Sequence, residues 1–383
     1  MTKTLFIERD NGNPADDKYL IAIDAGYSAV KTFSPNGVAM FPSYAIRDPG
    51  RGTAGVLPDD YIQYQNLETG EKWIVGKTAQ NSLSDEDTNV SESILYGRNR
   101  YGEMFNVLLD TGLGMACMSK KYTDYRGKTI YVETGLPPRY MGKGSADGRM
   151  LRNAIGKTHR FSLQIGQQKP EEFRIEIQPE HVTIIPQPMG TLFSVAVNNE
   201  HGWVEQANDL FNKNVLIVDG GFGTLDLYPI KDRRIQESET DNSLGMKRVL
   251  EEAAAIIQEK YDKDISVPAM QKYLERGSFV WFEPLTVSTR TESLSGILEE
   301  ASEKVCHEAI DKIMRAYNNV YEYDYLVVTG GTGAAWINII REYFKNMTTL
   351  KIISGDQNDT LPCVFANVRG YYMHKYSGLA RGE

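Results

Sequence analysis

The sequence predicts an α/β protein of two domains, and two observations support this prediction. The chain has 383 residues, which suits two domains of ordinary size. A strand, an aspartate, a glycine-containing turn and a returning strand occur once near the N-terminus and again roughly half a chain later. One copy of the pattern falls in each half of the chain, and the two copies are predicted to bind one ligand together.

The second copy of this pattern covers residues 215–228. It begins with the apolar run VLIV, which is typical of a strand covered on both faces. Asp219 ends the run, and the glycines that follow let main-chain N–H groups converge on an anion. Residues 224–228 alternate in polarity, which predicts a hairpin rather than the helix of a dinucleotide-binding fold.

The first copy, residues 19–32, has the same order, with Asp24 at the strand end and Lys31 on the returning strand. Two such hairpins predict a phosphate ligand with a divalent cation, because N–H groups bind phosphate oxygens while carboxylates hold a hydrated metal. A glycine turn that serves only the hairpin is the alternative for either copy alone.

Composition excludes several classes of protein. With 41% hydrophobic and 24% charged residues the chain is typical of a soluble globular protein. No apolar stretch is long enough to span a bilayer and the N-terminus lacks a signal peptide, so we expect a cytoplasmic protein without membrane contact. The net charge of −9 argues against broad nucleic-acid binding, and three widely spaced cysteines support neither disulfides nor a zinc site.

The elements before the first hairpin and between the two hairpins are predicted as follows. Residues 1–18 are expected to have limited order, and residues 41–100 to hold an inserted hairpin. Gly76-Lys77-Thr78 is not a P-loop, because Glu71 stands where that motif needs glycine, and Leu151 excludes the triplet at 156–158 for the same reason. A strand ends at Pro186, followed by Gln187 and a helix predicted from Thr191. Gln187 is either a group that reaches into a binding site or a turn residue.

The C-terminal half is predicted to contain amphipathic helices from Met246 and from about Leu298. A buried strand at 325–328 leads through a glycine-rich turn, residues 329–333, into another helix. Such a turn lets a ligand lie against the backbone, and the helix N-terminus favours negative charge. A Rossmann fingerprint is excluded, because it would need glycine where Trp336 stands. Residues 361–368 are predicted as a strand before a last helix.

Five of these segments, in this order, resemble the nucleotide-binding motifs shared by actin, heat-shock chaperone ATPase domains and sugar kinases. DAGYSAVK resembles the first phosphate loop, IIPQPMG the first connection, DGGFGTLD the second phosphate loop, VTGGTGAAW the adenosine loop and FANVRGYY the second connection. FPS at 41–43, TGLPP at 134–138 and PQP at 186–188 are similar to the plasmid-segregating, ParM-type branch of bacterial and archaeal actin-like proteins.

The resemblance implies an actin-like (ribonuclease H-like), two-lobed fold with a nucleotide cleft between duplicated domains. Domain I is expected at residues 1–188, with an inserted subdomain at about 41–100, and residues 361–383 are expected to complete domain I. Domain II is expected at residues 189–360. It further implies ATP, with GTP as the alternative nucleotide, together with Mg²⁺. Asp24 and Asp219 would hold the water shell of the metal, supported by Asp226, and Gln187 would orient the attacking water.

The nucleotide-binding residues implied by the resemblance are mostly glycines of the three turns and their neighbours. They are Gly26, Tyr27, Ser28, Lys31, Gly220, Gly221, Phe222, Gly223, Thr224, Gly245, Lys247, Gly330, Gly331, Thr332 and Gly333. Ala25 and Tyr27 occupy positions that vary in the family. Gln187 matches the glutamine of actin, where some ParM-type proteins carry glutamate, which leaves the hydrolysis rate open.

The implied function is a homopolymer filament that moves plasmid DNA through a DNA-bound adaptor of ParR type, without contacting DNA itself. ATP hydrolysis would time filament disassembly, which makes the protein an ATPase. Two alternatives remain at this point. One is a small-molecule kinase of the same fold, which would need a further catalytic carboxylate, and the other is an actin-like cytoskeletal protein for cell shape or organelle positioning.

Overall fold

The computed structural model describes residues 3–26, 28–50, 56–83, 101–142 and 144–382. Tyr27, a predicted nucleotide contact, and residues 51–55 and 84–100 of the predicted insertion lie outside these ranges. Contacts divide the chain into a first unit, Thr2–Gly202 with Asn367–Glu383, and a second unit, Trp203–Ala366. The divisions therefore fall after Gly202 and Ala366, whereas we expected them near 188 and 360.

The first unit contains a six-stranded sheet in the order β1-β4-β3-β2-β8-β11. The strands are β1 Leu5–Glu8, β2 Lys18–Ala25, β3 Ala29–Ser34, β4 Gly37–Pro42, β8 Thr129–Leu136 and β11 Val182–Pro186. Strand β2 pairs in antiparallel fashion with β3 and in parallel with β8, which in turn pairs in parallel with β11. The helix Glu103–Met118 packs on this sheet against β2, β3 and β4.

For residues 3–18, the part of this segment that the structure describes, the prediction of limited order is wrong. Strand β1 pairs with β4 from Leu5↔Met40 to Glu8↔Gly37 and forms the edge of the sheet. Asn11 is only 5% exposed and donates a hydrogen bond from its amide to the Ser34 carbonyl oxygen at 2.7 Å. The segment is ordered by contacts with residues some thirty positions later, which its own sequence does not reveal.

A second sheet of the first unit has five strands in the order β10-β9-β6-β7-β5. The strands are β5 Ala45–Arg47, β6 Ile62–Asn66, β7 Lys72–Val75, β9 Thr158–Ile165 and β10 Glu171–Glu176. The predicted β6–β7 hairpin is confirmed, but β6 also pairs with β9, so the insertion shares its sheet with later strands. Phe161 stacks on Tyr64 and on Phe173, and one apolar core joins this sheet to the helix Glu103–Met118.

Four shorter helices described in the first unit are Lys77–Ser82, Ala146–Ile155, Gln187–Ala196 and Ala366–Ala380. The last two bear on the functional site. There are also 3₁₀ turns at Pro138–Tyr140 and Pro179–His181. The predicted strand at 361–368 is wrong, because Cys363–Phe365 forms a 3₁₀ turn and the last helix begins at Ala366. A short apolar run does not distinguish a buried strand from a buried helix.

The second unit has a sheet in the order β14-β13-β12-β18-β19, with β15 also paired to β13. The strands are β12 Val215–Gly220, β13 Leu225–Lys231, β14 Arg234–Ile235, β15 Glu239–Asp241, β18 Tyr325–Thr329 and β19 Lys351–Ser354. The helices are Ala207–Asn212, Met246–Tyr261, Val267–Arg276, Ser295–Ala316 and Gly330–Tyr343, and a separate hairpin pairs β16 Ser278–Glu283 with β17 Ser288–Ser293. The predicted amphipathic helices are thus confirmed.

The two main sheets repeat one local topology. In each, a central strand (β2 or β12) has an aspartate as its second-last residue and pairs with the next strand (β3 or β13) in antiparallel fashion. On its other side it pairs with a parallel strand (β8 or β18). This is the duplication that the sequence predicted. None of the helices in the described ranges is long and apolar enough to cross a membrane.

Candidate functional site

The two aspartate hairpins have the same register. Asp24 lies opposite Lys31 across β2 and β3, and Asp219 lies opposite Asp226 across β12 and β13, so each aspartate faces the residue seven positions later. The two aspartates are 8% and 9% exposed. Equivalent residues of the two hairpins therefore occupy equivalent positions in their sheets, as the duplicated motif predicts.

In the first hairpin, the Lys31 ammonium contacts the Asp24 carboxylate, with 3.0 Å between Nζ and Oδ2. Their side chains are 18% and 11% exposed, so this pair is largely withdrawn from solvent. Ser43 braces the turn: its hydroxyl donates to the Gly26 carbonyl oxygen at 2.6 Å, and its backbone N–H donates to that of Ser28 at 3.2 Å. The FPS motif thus supports the first turn, a role that its sequence alone did not show.

In the second hairpin, the turn is closed by the Gly221 N–H, which donates to the Thr224 carbonyl oxygen at 2.8 Å. The N-terminus of the helix Met246–Tyr261 anchors the same turn. The Lys247 N–H donates to the Phe222 carbonyl oxygen at 2.8 Å, and the Met246 N–H to that of Gly221 at 3.3 Å. Lys247 thus helps to shape the turn through its main chain. The first backbone N–H groups of a helix lack partners within the helix, and here the carbonyl oxygens of the turn accept their hydrogen bonds.

Asp219 and Asp226 bring two carboxylates to directly opposite positions on neighbouring strands. Like charges at such positions repel unless hydrogen-bond donors or a cation compensate. Two threonines donate to Asp226: Thr224 at 2.9 Å and Thr240 at 2.6 Å, both through their hydroxyls. Thr240 lies opposite Asp226 on β15. Sequence reasoning missed Thr240, because only the pairing of β15 with β13 brings it there.

The glycine-rich turn at 329–333 lies against the second hairpin. Gly330 has φ 82°, and a Cβ there would overlap the Gly220 carbonyl oxygen and stand 2.6 Å from Asp219 Oδ1. The Thr332 hydroxyl donates to the Gly221 carbonyl oxygen at 2.6 Å. The helix Gly330–Tyr343 begins in this turn, as predicted. Two motifs more than a hundred residues apart in sequence therefore form one compact group, with glycine required at position 330.

Gln187 is the first residue of the helix Gln187–Ala196 and is half-buried. The helix starts four residues earlier than predicted, since Pro188 fits a helical first turn, where its missing N–H needs no partner. Within the first unit, β2, β8 and β11 run parallel and end at Ala25, Leu136 and Pro186. Gln187 therefore follows a strand end at the same sheet edge as Asp24, the edge where α/β proteins place ligands.

The donor set of the second hairpin fits a hydrated divalent cation. Carboxylate oxygens are the ligands that Mg²⁺ prefers, and it keeps several of its waters when bound by one or two carboxylates. Asp219 and Asp226 offer two carboxylates at adjacent strand positions. Within the described ranges there is no group of three or more His, Cys, Asp and Glu residues arranged to hold a metal.

Comparisons with known proteins agree with this architecture. Residues 22–190 match the family model for the N-terminal domain of actin like proteins. No curated protein sequence matches the chain. Among solved structures, a ParM described as the pCBH non-polymerisable quadruple mutant has 20% identity and a TM-score of 0.66, with 94% of this chain and 99% of that chain covered.

Two further structures are similar over nearly the full length of both chains. The 15-stranded ParM filament from Clostridium botulinum has 19% identity and a TM-score of 0.65, covering 96% of this chain and 100% of that chain. The archaeal actin homolog Ta0583, in complex with ADP, has 15% identity and a TM-score of 0.60, covering 95% and 99%. The chain therefore has an actin-like fold. The resemblance to ParM-type actin-like proteins predicted from its motifs is confirmed.

Proposed function

We propose that this protein binds Mg–ATP through its two aspartate hairpins and assembles into filaments whose lifetime is set by ATP hydrolysis. The observation that carries this proposal is the duplicated hairpin, with Asp24 and Asp219 in the same register at the ends of equivalent strands. The similarity of the fold to ParM filament structures supports the assembly part of the proposal.

The two hairpin turns bind the phosphates of the nucleotide. Backbone N–H groups around Gly26 and Ser28 in the first turn, and around Phe222 and Gly223 in the second, take phosphate oxygens. The Lys31 ammonium has three donors, so it can keep its contact with Asp24 while it binds a phosphate oxygen. Gly330, Gly331 and Gly333 give the adenosine a flat backbone surface to lie on.

Asp219 and Asp226, together with Asp24, would hold the hydrated cation. Mg²⁺ held there would supply positive charge to offset the negative charge of the phosphate oxygens. The contribution of the chain is to fix the carboxylates. Thr224 and Thr240 orient the Asp226 carboxylate by hydroxyl donation, and Gly330 lets the glycine-rich turn approach Asp219.

Gln187 orients the attacking water. An amide accepts no proton at neutral pH, so this role is positioning rather than general base catalysis. The side chain suits the role because it stands half-buried at the first residue of a helix, directly after a strand end. Hydrolysis then acts as a timer, since an interface that prefers the ATP-bound conformation loses affinity once the γ-phosphate has left.

We infer further that the filament moves plasmid DNA through a DNA-bound adaptor of ParR type. The similarity to ParM structures and the net charge of −9, which disfavours direct DNA binding, support this cargo. ATP is the expected nucleotide, with GTP as the alternative, and the cytoplasm is the expected location.

Electron microscopy and sedimentation with and without Mg–ATP test the proposal. Wild-type protein is expected to form filaments only with nucleotide, above a critical concentration, and Asp219→Asn to form few. A small-molecule kinase would instead stay dispersed at high concentration in several salts. It would convert ATP to ADP only when a sugar or acid is added, because the γ-phosphoryl group is transferred to that substrate.

A further inference from the structure

The helix Gln187–Ala196, which carries Gln187 at its first residue, rests on the C-terminal helix Ala366–Ala380. The two helices meet at a pair of glycines. A Cβ at Gly370 would overlap the Gly190 carbonyl oxygen, and a Cβ at Gly190 would stand 2.7 Å from the Asn367 carbonyl oxygen. The two backbones are therefore in direct contact about one helical turn from Gln187.

A buried hydrogen bond lies beside this contact. The Thr191 hydroxyl donates to the Asn367 side-chain oxygen at 2.6 Å, and the two residues are 1% and 7% exposed. This hydrogen bond joins one face of the helix Gln187–Ala196 to the neighbouring helix, so it prevents the first helix from rotating about its own axis. The glycine contact alone would not prevent that rotation. Rotation of this helix would swing Gln187 sideways.

Arg369 holds the other end of the same helix. It is 1% exposed, and its guanidinium donates to the Ser194 carbonyl oxygen at 2.7 Å, the Val197 carbonyl oxygen at 3.0 Å and the Asn199 side-chain oxygen at 2.8 Å. The last carbonyls of a helix lack helical partners, and a cation there also interacts favourably with the helix dipole. The planar fork of an arginine binds several oxygens at fixed angles, which a lysine cannot do.

We propose that Arg369 and Asn367 are positioning residues for Gln187, acting through the helix Gln187–Ala196. This inference rests on the proposed role of Gln187 in ATP hydrolysis. The helix is only ~15 Å long, since each residue adds about 1.5 Å, so it moves as one rigid rod. It is held at its C-terminal end by Arg369 and near its middle by Asn367 and Gly370, which leaves Gln187 little freedom to shift.

The expected consequence follows from the geometry of catalysis. A misplacement of about 1 Å at a reacting group can cost on the order of 100-fold in rate. Loosening the helix should therefore lower kcat while leaving ATP affinity almost unchanged, because the hydrogen bonds described above for the two turns come from other segments. A purely structural role would instead lower the fraction of folded protein and leave the kcat of that fraction intact.

The experiment measures kcat, KM for ATP and thermal unfolding in full-length protein. The variants are Gln187→Ala, Arg369→Lys, Thr191→Val and the two doubles that combine Gln187→Ala with each of the others. Thr191→Val removes the bond to Asn367 without disturbing the buried charge, so it keeps the test valid if Arg369→Lys fails to fold. Arg152→Lys is the matched control, because Arg152 also donates to carbonyl oxygens of the first unit, those of Pro179 and Val182.

We expect Arg369→Lys and Thr191→Val each to lower kcat by about tenfold, with KM within roughly twofold of the wild-type value. Neither change should lower kcat further when it is added to Gln187→Ala, since the effects of residues that act through one group are non-additive. The control should keep the wild-type kcat. Wild-type kcat in both single variants, or losses that multiply in the doubles, would overturn the inference while leaving the proposed function intact. Absence of ATP turnover in wild type, or no loss in Gln187→Ala, would overturn the role of Gln187 and this inference with it.

Discussion

Lys31 lies directly opposite Asp24 across the first hairpin, and its ammonium contacts that carboxylate at 3.0 Å. The equivalent position of the second hairpin holds Asp226, opposite Asp219. The first hairpin thus pairs a carboxylate with an ammonium, whereas the second pairs two carboxyl groups. We expect the second hairpin to contribute more to cation binding, and the first to contribute more to phosphate binding.

This asymmetry predicts the effects of single carboxylate changes. Asp219→Asn should weaken Mg–ATP binding by tenfold or more, about 1.4 kcal/mol, because it removes one of two adjacent cation ligands. Asp24→Asn should weaken it less, because it also releases Lys31 for the phosphates. Titration calorimetry at two Mg²⁺ concentrations measures both effects.

Asp209→Asn is the matched control for these two variants, because Asp209 also pairs with a lysine, Lys213, at 2.8 Å, but its side chain is 37% exposed. It should bind Mg–ATP as wild type does. Wild-type affinity in both Asp24→Asn and Asp219→Asn would show that the hairpins do not bind the nucleotide.

Thr240 should matter for the cation although it is no ligand itself. Thr240→Val removes a hydroxyl that donates to Asp226 at 2.6 Å, and a hydrogen bond to a charged group contributes about 1.5–3 kcal/mol. We expect the Mg²⁺ concentration for half-maximal ATP turnover to rise by about tenfold. Thr289→Val, in an exposed position on β17, should leave it unchanged. An unshifted Mg²⁺ dependence in Thr240→Val would mean that Asp226 is not engaged with the cation.

Glu133 predicts a pH dependence of stability. It is fully buried on β8, its Oε1 lies 2.6 Å from His374 Nδ1, and burial raises the pKa of its carboxyl above the ordinary value of 4.5, with His374 and Lys375 partly offsetting this effect. Since the raised pKa means that the folded state holds the proton more tightly, the neutral form favours folding. That contribution is fully present below pH 4.5 and is lost as the pH rises through the raised pKa.

Glu133→Gln keeps an acceptor for His374 and removes the titration. We expect this variant to gain unfolding free energy relative to wild type at pH 7.5, and the difference to shrink toward pH 4.5. Urea unfolding at both pH values checks this. A constant difference would show that the Glu133 carboxyl does not titrate differently in the folded and unfolded states.

The parts of the fold that the sequence predicted are those encoded locally. An apolar run ending in aspartate and followed by glycines specified both hairpins, because strand, turn and return lie within fourteen residues. The helices from Met246 and near Leu298 were predictable for the same reason, since a 3.6-residue apolar period is readable from one segment. Asp219 and the glycine-rich turn were proposed as site residues because of their residue types, and the fold brings them into contact.

What the sequence missed depends on contacts between distant segments. Strand β1 is ordered by β4, and Thr240 reaches Asp226 through the pairing of β15 with β13. Arg369 would be expected on the surface by its charge, yet it is buried at the end of a helix that starts 182 residues earlier in the chain. Such placements follow from tertiary structure, which no local pattern records.

The central claim is that ATP drives assembly and that its hydrolysis limits filament lifetime. Phosphate release and light scattering recorded together after a fixed dose of ATP test it most directly, in wild type, Gln187→Ala and the exposed-glutamine control Gln178→Ala. Wild type and the control should assemble and then decay as phosphate appears. Gln187→Ala should assemble and persist with turnover lowered by about 30- to 150-fold, the effect of losing about 2–3 kcal/mol of transition-state stabilisation. Scattering that never rises with ATP would contradict ATP-driven assembly. Hydrolysis would not limit filament lifetime through Gln187 if Gln187→Ala filaments decayed as fast as wild type and released phosphate at the wild-type rate.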